Sequence, residues 1–240
     1  MENYNLWQLI QNGYFTEACE KADLDFKKTS DLSHLRNKIY ALFHLKNYNE
    51  CILLSEKIIS FDKGQTDSDF IFLGIAYWLC DKKEDAVNAW KSGLNSKYTD
   101  AAGGVELQIF LFFASVKMMD NKLNKNVLKR INKLVKSKNT MNYPGFLGKY
   151  LLNEIGEDSL FSSVSTVPIL KERQLCQINF SIALKRIENG NLDEYIKKLK
   201  DAVSFGPASY LEHMYYLATG ELEIMLSTRI DGGGSINSIQ

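Results

Sequence analysis

The chain has few of the residues that break helices and few of those that carry most enzyme chemistry. Only three prolines occur in 240 residues, which leaves long stretches free to run as helix, since proline removes a backbone N–H and clashes inside one. Four cysteines, Cys19, Cys51, Cys80 and Cys176, stand far apart with no CxxC pair. They read as free, buried thiols of a reducing compartment, neither a disulfide framework nor a zinc site. The three histidines, His34, His44 and His213, show neither HxxxH nor HExxH spacing, so no metal-binding motif is present. Phosphate-binding GxxxxGK[ST] loops and GxSxG nucleophile elbows are missing too. No cofactor is expected.

Net charge is also lacking: 29 basic residues offset 29 acidic ones. The chain as a whole is therefore not drawn to nucleic acid or to an anionic membrane. The longest apolar run, 109–116, is about eight residues, and crossing a bilayer takes about 20. The opening MENYNLWQLIQ carries Glu2 and no basic segment, which is unlike a secretory signal. A cytoplasmic location is the expectation. What is abundant is ordinary: 45% hydrophobic and 24% charged residues, enough to bury a core.

The stretch FLGIAYWLCDKKEDAVNAW, residues 72–90, shows how that core is organised. Phe70, Leu73, Gly74 and Tyr77 recur at helical spacing. A polar tract, Asp81 to Asp85, follows, and Asp81 with Glu84 three residues later reads as a helix start. Ala86, Val87, Ala89 and Trp90 then begin a second stripe. The unit is helix, turn, helix. Related turns occur at Gly13-Tyr14-Phe15 and at Asn47-Tyr48-Asn49, and the small residues opening the second helix, Ala18, Cys51 and Ala86, lie 33 and 35 residues apart. Gly74 and Ala86 keep two crossing helices close.

A helical hairpin with a period near 34 resembles the tetratricopeptide repeat (TPR) family, and Phe70, Leu73-Gly74, Tyr77 and Ala86 fit its pattern. The resemblance implies an all-α, right-handed superhelix of ten to twelve helices in a single domain, residues 1–226. Its clearest units are 3–30, 33–63, 68–98 and 179–207. The middle, 101–165, is irregular; a capping helix covers 210–226, and 227–240 reads as a flexible tail. The segments GNLDEYIKKLKDAV and LEHMYYLATGELE are similar to the closing part of bacterial TPR lipoproteins that act as adaptors, although their lipid-attachment signal is absent here. The DAAGG stretch resembles TPR proteins of bacterial toxin–immunity neighbourhoods.

Two candidate surfaces emerge. Mapping the family's concave groove onto this chain places Trp7, Ile10, Arg36, Tyr40, Phe43, Ile71, Ile75 and Trp78 there. Such an aromatic, apolar lining with one cation suits a partner helix or peptide; the same side chains equally suit a filled core. The second surface is basic. Lys117, Lys122, Lys125, Lys129, Arg130, Lys133, Lys136 and Lys138 face only Asp120 in residues 117–138. That edge reads either as a docking site or as a solvated face balanced by Glu17, Glu20, Asp23 and Asp25. No aromatic residues interleave it to stack bases, so nucleic acid is disfavoured against an acidic protein. The expected function is non-catalytic binding of another protein or peptide. The alternatives are an immunity protein that neutralises a toxin, and an enzyme using Glu106 or His213. Gly103-Gly104 follows no strand and reads as close packing or a helix start.

Overall fold

A computed structural model describes residues 4–141 and 143–233, with the side chains of residues 139 and 229–233 left aside. Among the described residues the chain is all helical, with no strand beyond one isolated bridge between Thr66 and Tyr98. The helices are α1 (Leu6–Gln11), α2 (Phe15–Thr29), α3 (Leu32–His44), α4 (Tyr48–Asp62), α5 (Asp67–Leu79), α6 (Lys83–Gly93) and α7 (Val105–Lys117). They continue with α8 (Asn121–Leu134), α9 (Gly145–Leu151), α10 (Glu157–Ser162), α11 (Pro168–Glu188), α12 (Leu192–Val203) and α13 (His213–Gly233). Where one domain was expected, the chain forms two compact units, residues 1–164 and 165–240.

In the first unit each helix packs on the next, from α1 to α8, and the odd-numbered helices α1, α3, α5, α7 and α9 also touch in succession. One turn design makes this possible. The turns after α1, α3, α5, α7 and α9 each place one residue in the left-handed conformation: Gly13, Lys46, Asp81, Met119 and Asn153. Its N–H bonds the carbonyl three residues back, and the next N–H reaches five back, as Lys46 does to Phe43 and Asn47 to Leu42, both at 3.0 Å. These bonds satisfy carbonyls that a helix end would otherwise orphan. The same turn recurs at Gly190 after α11, so the six left-handed residues lie 33, 35, 38, 34 and 37 positions apart.

This geometry corrects one expectation. Asp81 does not cap α6; it is the left-handed residue, and Lys82 occupies the cap without a side-chain bond. Asn47 and Asn191 do cap, accepting from the N–H of Glu50 at 3.3 Å and of Glu194 at 3.1 Å. Met119 holds the turn conformation with its side chain 85% exposed. An L-residue there costs about 1–2 kcal/mol, offset in part by the greater unfolded-state freedom of glycine. Met119→Gly is expected to stabilise the protein by about 0.5–1 kcal/mol, read as a higher urea midpoint.

The hairpin formed by α5 and α6 crosses tightly. A Cβ on Gly74 would lie 2.1 Å from Nε1 of Trp90 and 2.5 Å from its Cδ1. Trp90 is fully buried, and its Nε1 donates to the Ile71 carbonyl at 3.2 Å. The ring cannot yield without losing that bond. Gly74→Ala should therefore cost at least about 1–3 kcal/mol by overpacking, seen as a lower melting temperature with helical content kept at 25 °C.

His44 ends α3 half-buried, its ring stacked on Phe15 at 4.2 Å and 8°. Burial pushes its pKa down to about 4. Unfolding returns the ring to an ordinary value near 6.5, so the unfolded chain binds the extra proton first. Stability contributed by neutral His44 is full above pH 6.5 and is lost as pH falls from there towards 4. Between pH 7 and 5.5 the loss is about 1 kcal/mol. His44→Phe should flatten that part of a urea-midpoint-versus-pH curve relative to wild type.

The second unit is a three-helix assembly of α11, α12 and α13. Cys176, Phe180, Leu184, Tyr195, Leu199 and Leu217 form its interior, and the Tyr195 hydroxyl donates to Glu221 at 2.9 Å. Pro207 falls in a short 3-10 turn, Gly206–Ser209, beyond the end of α12. The closing helix starts at His213 and runs to Gly233, through the first part of the segment expected as a flexible tail. Residues 234–240 lie outside the described ones.

Candidate functional site

The expected groove residues are mostly interior. Phe43, Ile71, Ile75 and Trp78 are buried, as is Ile10. The reason is the stacking of the odd helices. Trp7 meets Tyr40 edge-on at 5.7 Å, Tyr40 meets Phe72 at 5.0 Å, and Trp78 meets Phe113 at 4.7 Å. These rings form a ladder along α1, α3, α5 and α7 in place of an open lining. Tyr40 and Trp7 are half-buried rungs of it. Arg36, the one cation, is also committed. Its Nε and one terminal nitrogen donate to the two oxygens of Asp69 at 2.9 and 2.7 Å, and that nitrogen also bonds Asp62. These carboxylates, Asp69 foremost, hold the guanidinium charged.

The basic edge has the opposite character. Helix α8 buries Leu123, Val127 and Ile131, with Val135 following them, a period that fixes which face is dry. Lys122, Lys125, Lys129, Arg130 and Lys133 are left exposed, and Lys136 and Lys138 continue the exposed edge past the helix end. Asp120 caps the helix, accepting from the N–H groups of Lys122 at 3.0 Å and Leu123 at 2.9 Å. Among the described residues, no ion pair joins these cations to a carboxylate. Two of the acidic residues that were to balance them are engaged elsewhere: Asp23 with Lys38 at 2.9 Å and Asp25 with Lys21 at 3.4 Å.

Beside this face lies a cleft of about 590 Å3 between α6, α7 and α8. Leu111, Leu123 and Val127 give it an apolar floor; Lys91, Lys122 and Arg130 surround it with positive charge. Gln108 also lines it. That side chain is 2% exposed, and its Nε2 has no hydrogen-bond partner. A buried N–H without an acceptor costs about 1–3 kcal/mol. Gln108 and this cleft were missed from the sequence, although a lone amide in VELQIFLFF was a visible signal.

The residues weighed for catalysis belong to different units. Glu106 lies buried in the first turn of α7, where its backbone N–H donates to Asp100 at 2.7 Å. Burial raises the pKa of that Asp100 carboxyl. His213 opens α13 in the second unit, after Glu212, which accepts from Arg173 and Gln177. Gly103 and Gly104 both have positive φ, and Gly104 is the residue before α7, so the pair makes a helix start. Among the described residues, no group of three or more His, Cys, Asp or Glu side chains is placed to hold a metal ion. No helix among them is long and apolar enough to cross a membrane. Compared with known proteins, the chain matches no family model and no curated protein sequence.

Proposed function

We propose that this chain is a non-catalytic interaction module, TPR-like in plan, that docks an acidic segment of another protein on the outer face of α8. The observation that carries the reading is the uncompensated row Lys125, Lys129, Arg130, Lys133 and Lys136, all exposed on one edge. Like charges held side by side on a helix disfavour each other, and a partner carboxylate relieves that repulsion. The TPR-like plan is supported by two features. Odd helices touch in succession, and one turn design returns at intervals of 33–38 residues. The docking face differs from the groove first expected, because rings occupy the seam between the odd helices.

An acidic protein segment is favoured over nucleic acid. The α8 sequence NKLNKNVLKRINKL offers no aromatic ring for bases to stack on. The preformed helix keeps the ordering cost of binding low.

A fluorescently labelled oligoglutamate peptide tests the reading by anisotropy. Wild type should bind it, with affinity falling as salt rises. Lys125→Glu/Lys129→Glu/Lys133→Glu should weaken binding by more than about tenfold while melting at a similar temperature, since rim charges govern encounter and not folding. Equal binding by wild type and the triple variant, or no binding by wild type at low salt, would overturn it.

A further inference from the structure

We propose that the cleft between α6, α7 and α8 is a carboxylate-binding site, anchored by Gln108 and Arg130. The proposal deepens the docking reading and rests on it only for the source of the carboxylate.

Three features of the cleft point to this ligand. The first is the unmet donor. Gln108 is 2% exposed and lines the cleft, and its Nε2 lacks an acceptor. Nε2 is closed to solvent in the free protein, so the amide has to turn toward the cleft for a carboxylate oxygen to supply an acceptor, and that oxygen's remaining lone pairs accept further donors. The second is charge. Lys91, Lys122 and Arg130 line the same space, and none has a carboxylate partner among the described residues. The one carboxylate in the lining, Asp120, is already spent on two backbone N–H groups of α8. The cleft therefore has a surplus of positive charge, which suits an anion. The third is the apolar floor. Leu111 and Val127 are nearly inaccessible to solvent, and they suit an aliphatic stem behind the charged group. A phosphate or sulfate would meet the cations but gain nothing from that floor. An aliphatic carboxylate uses all three features.

Arg130 links this cleft to the α8 face, since it belongs to both. A glutamate side chain from a docked acidic segment could place its carboxylate here, and so could a free small acid. The shared chemistry is a carboxylate on a short aliphatic stem. Arginine suits the entrance because its planar fork pairs with both oxygens of a carboxylate.

The test uses the full chain labelled with 15N. The side-chain amide signal of Gln108 is identified by its disappearance in Gln108→Leu, a substitution of similar volume that removes the unmet donor. Gln108→Leu should melt no lower than wild type, and a lower melting temperature would count against the Nε2 being unmet. Hexanoate is then titrated, with hexanol as the control that has the stem and no carboxylate. The expected result is a saturable shift of the Gln108 amide with hexanoate and none with hexanol. Arg130→Gln, an exposed change, should raise the hexanoate Kd by about tenfold or more. Equal shifts with hexanol, or no saturable shift with either hexanoate or the oligoglutamate peptide, would overturn the site.

The peptide separates the two sources. A Gln108 shift with the peptide supports delivery by a docked segment. A shift with hexanoate alone supports a free small acid as ligand. Peptide binding that the α8 triple variant abolishes, with no movement of Gln108 under any probe, would sink the cleft and leave the docking face standing. Hexanoate binding with no peptide binding at all would do the reverse.

Discussion

Much of the first unit depends on one indole seated over one glycine. Trp90 of α6 lies across Gly74 of α5, so closely that no side chain fits between them. From that seat its ring reaches Trp78 at 6.1 Å, Phe110 at 5.6 Å and Phe113 at 6.4 Å. One side chain thus joins α5, α6 and α7. The hydrogen bond from its Nε1 to the Ile71 carbonyl fixes the rotation of the ring. Helices α5 and α7 belong to the ladder of rings that runs to α1, and α6 and α7 supply two of the three walls of the cleft. Distortion at Gly74 would reach Gln108 through Phe110 and Phe113, which share its helix. Packing that is dense on this scale transmits displacement more readily than it absorbs it.

The helices were legible in the sequence because their signals are local. Apolar residues three and four apart, few prolines and polar tracts between stripes each act over a handful of positions. The hairpin period could be read from Ala18, Cys51 and Ala86 for the same reason. What escaped was the residue that closes each turn. Glycine at positions 13 and 190 announces a left-handed conformation, but Lys46, Asp81 and Met119 hold the same conformation with no such mark. Asp81 looked like a helix cap because aspartate favours caps. Tertiary packing of the hairpin decided otherwise. The division after Val164 was also hidden: Ser165 to Val167 differs little in composition from other loops.

Groove and filled core both fitted the sequence for a different reason. A stripe of Tyr40, Phe43, Ile71, Ile75 and Trp78 has one spacing whether it faces a cavity or a neighbouring helix. Periodicity reports which face is apolar and says nothing of what covers it. Composition carried the missing hint. Four aromatic residues at the seam, Trp7, Tyr40, Phe72 and Trp78, have enough bulk to meet across successive odd helices. Arg36 likewise looked available as an anchor. Its partners, Asp62 and Asp69, lie 26 and 33 residues away, beyond any local reading. The basic edge could be read because charge leaves little freedom: lysines on an amphipathic helix seek water, with their stems covering apolar surface.

Those contrasts bear on where recognition can take place. A side chain used to hold the fold is a poor anchor for a partner, because it would have to give up one contact to make another. Arg36 illustrates this, with its Nε and one terminal nitrogen held by two carboxylates. Arg130 belongs to the other class. It is exposed, positioned by the buried residues of its own helix, and lines the same cleft as an amide whose N–H lacks an acceptor. Such residues carry strain that the fold itself does not relieve: repulsion among neighbouring cations on one side, an unmet hydrogen bond on the other. A ligand that relieves both binds with more than its own contacts, since it also removes a cost already present in the free protein. Under the proposed docking, the aromatic ladder holds α7 in place and the unrelieved groups on α7 and α8 are what a ligand would engage.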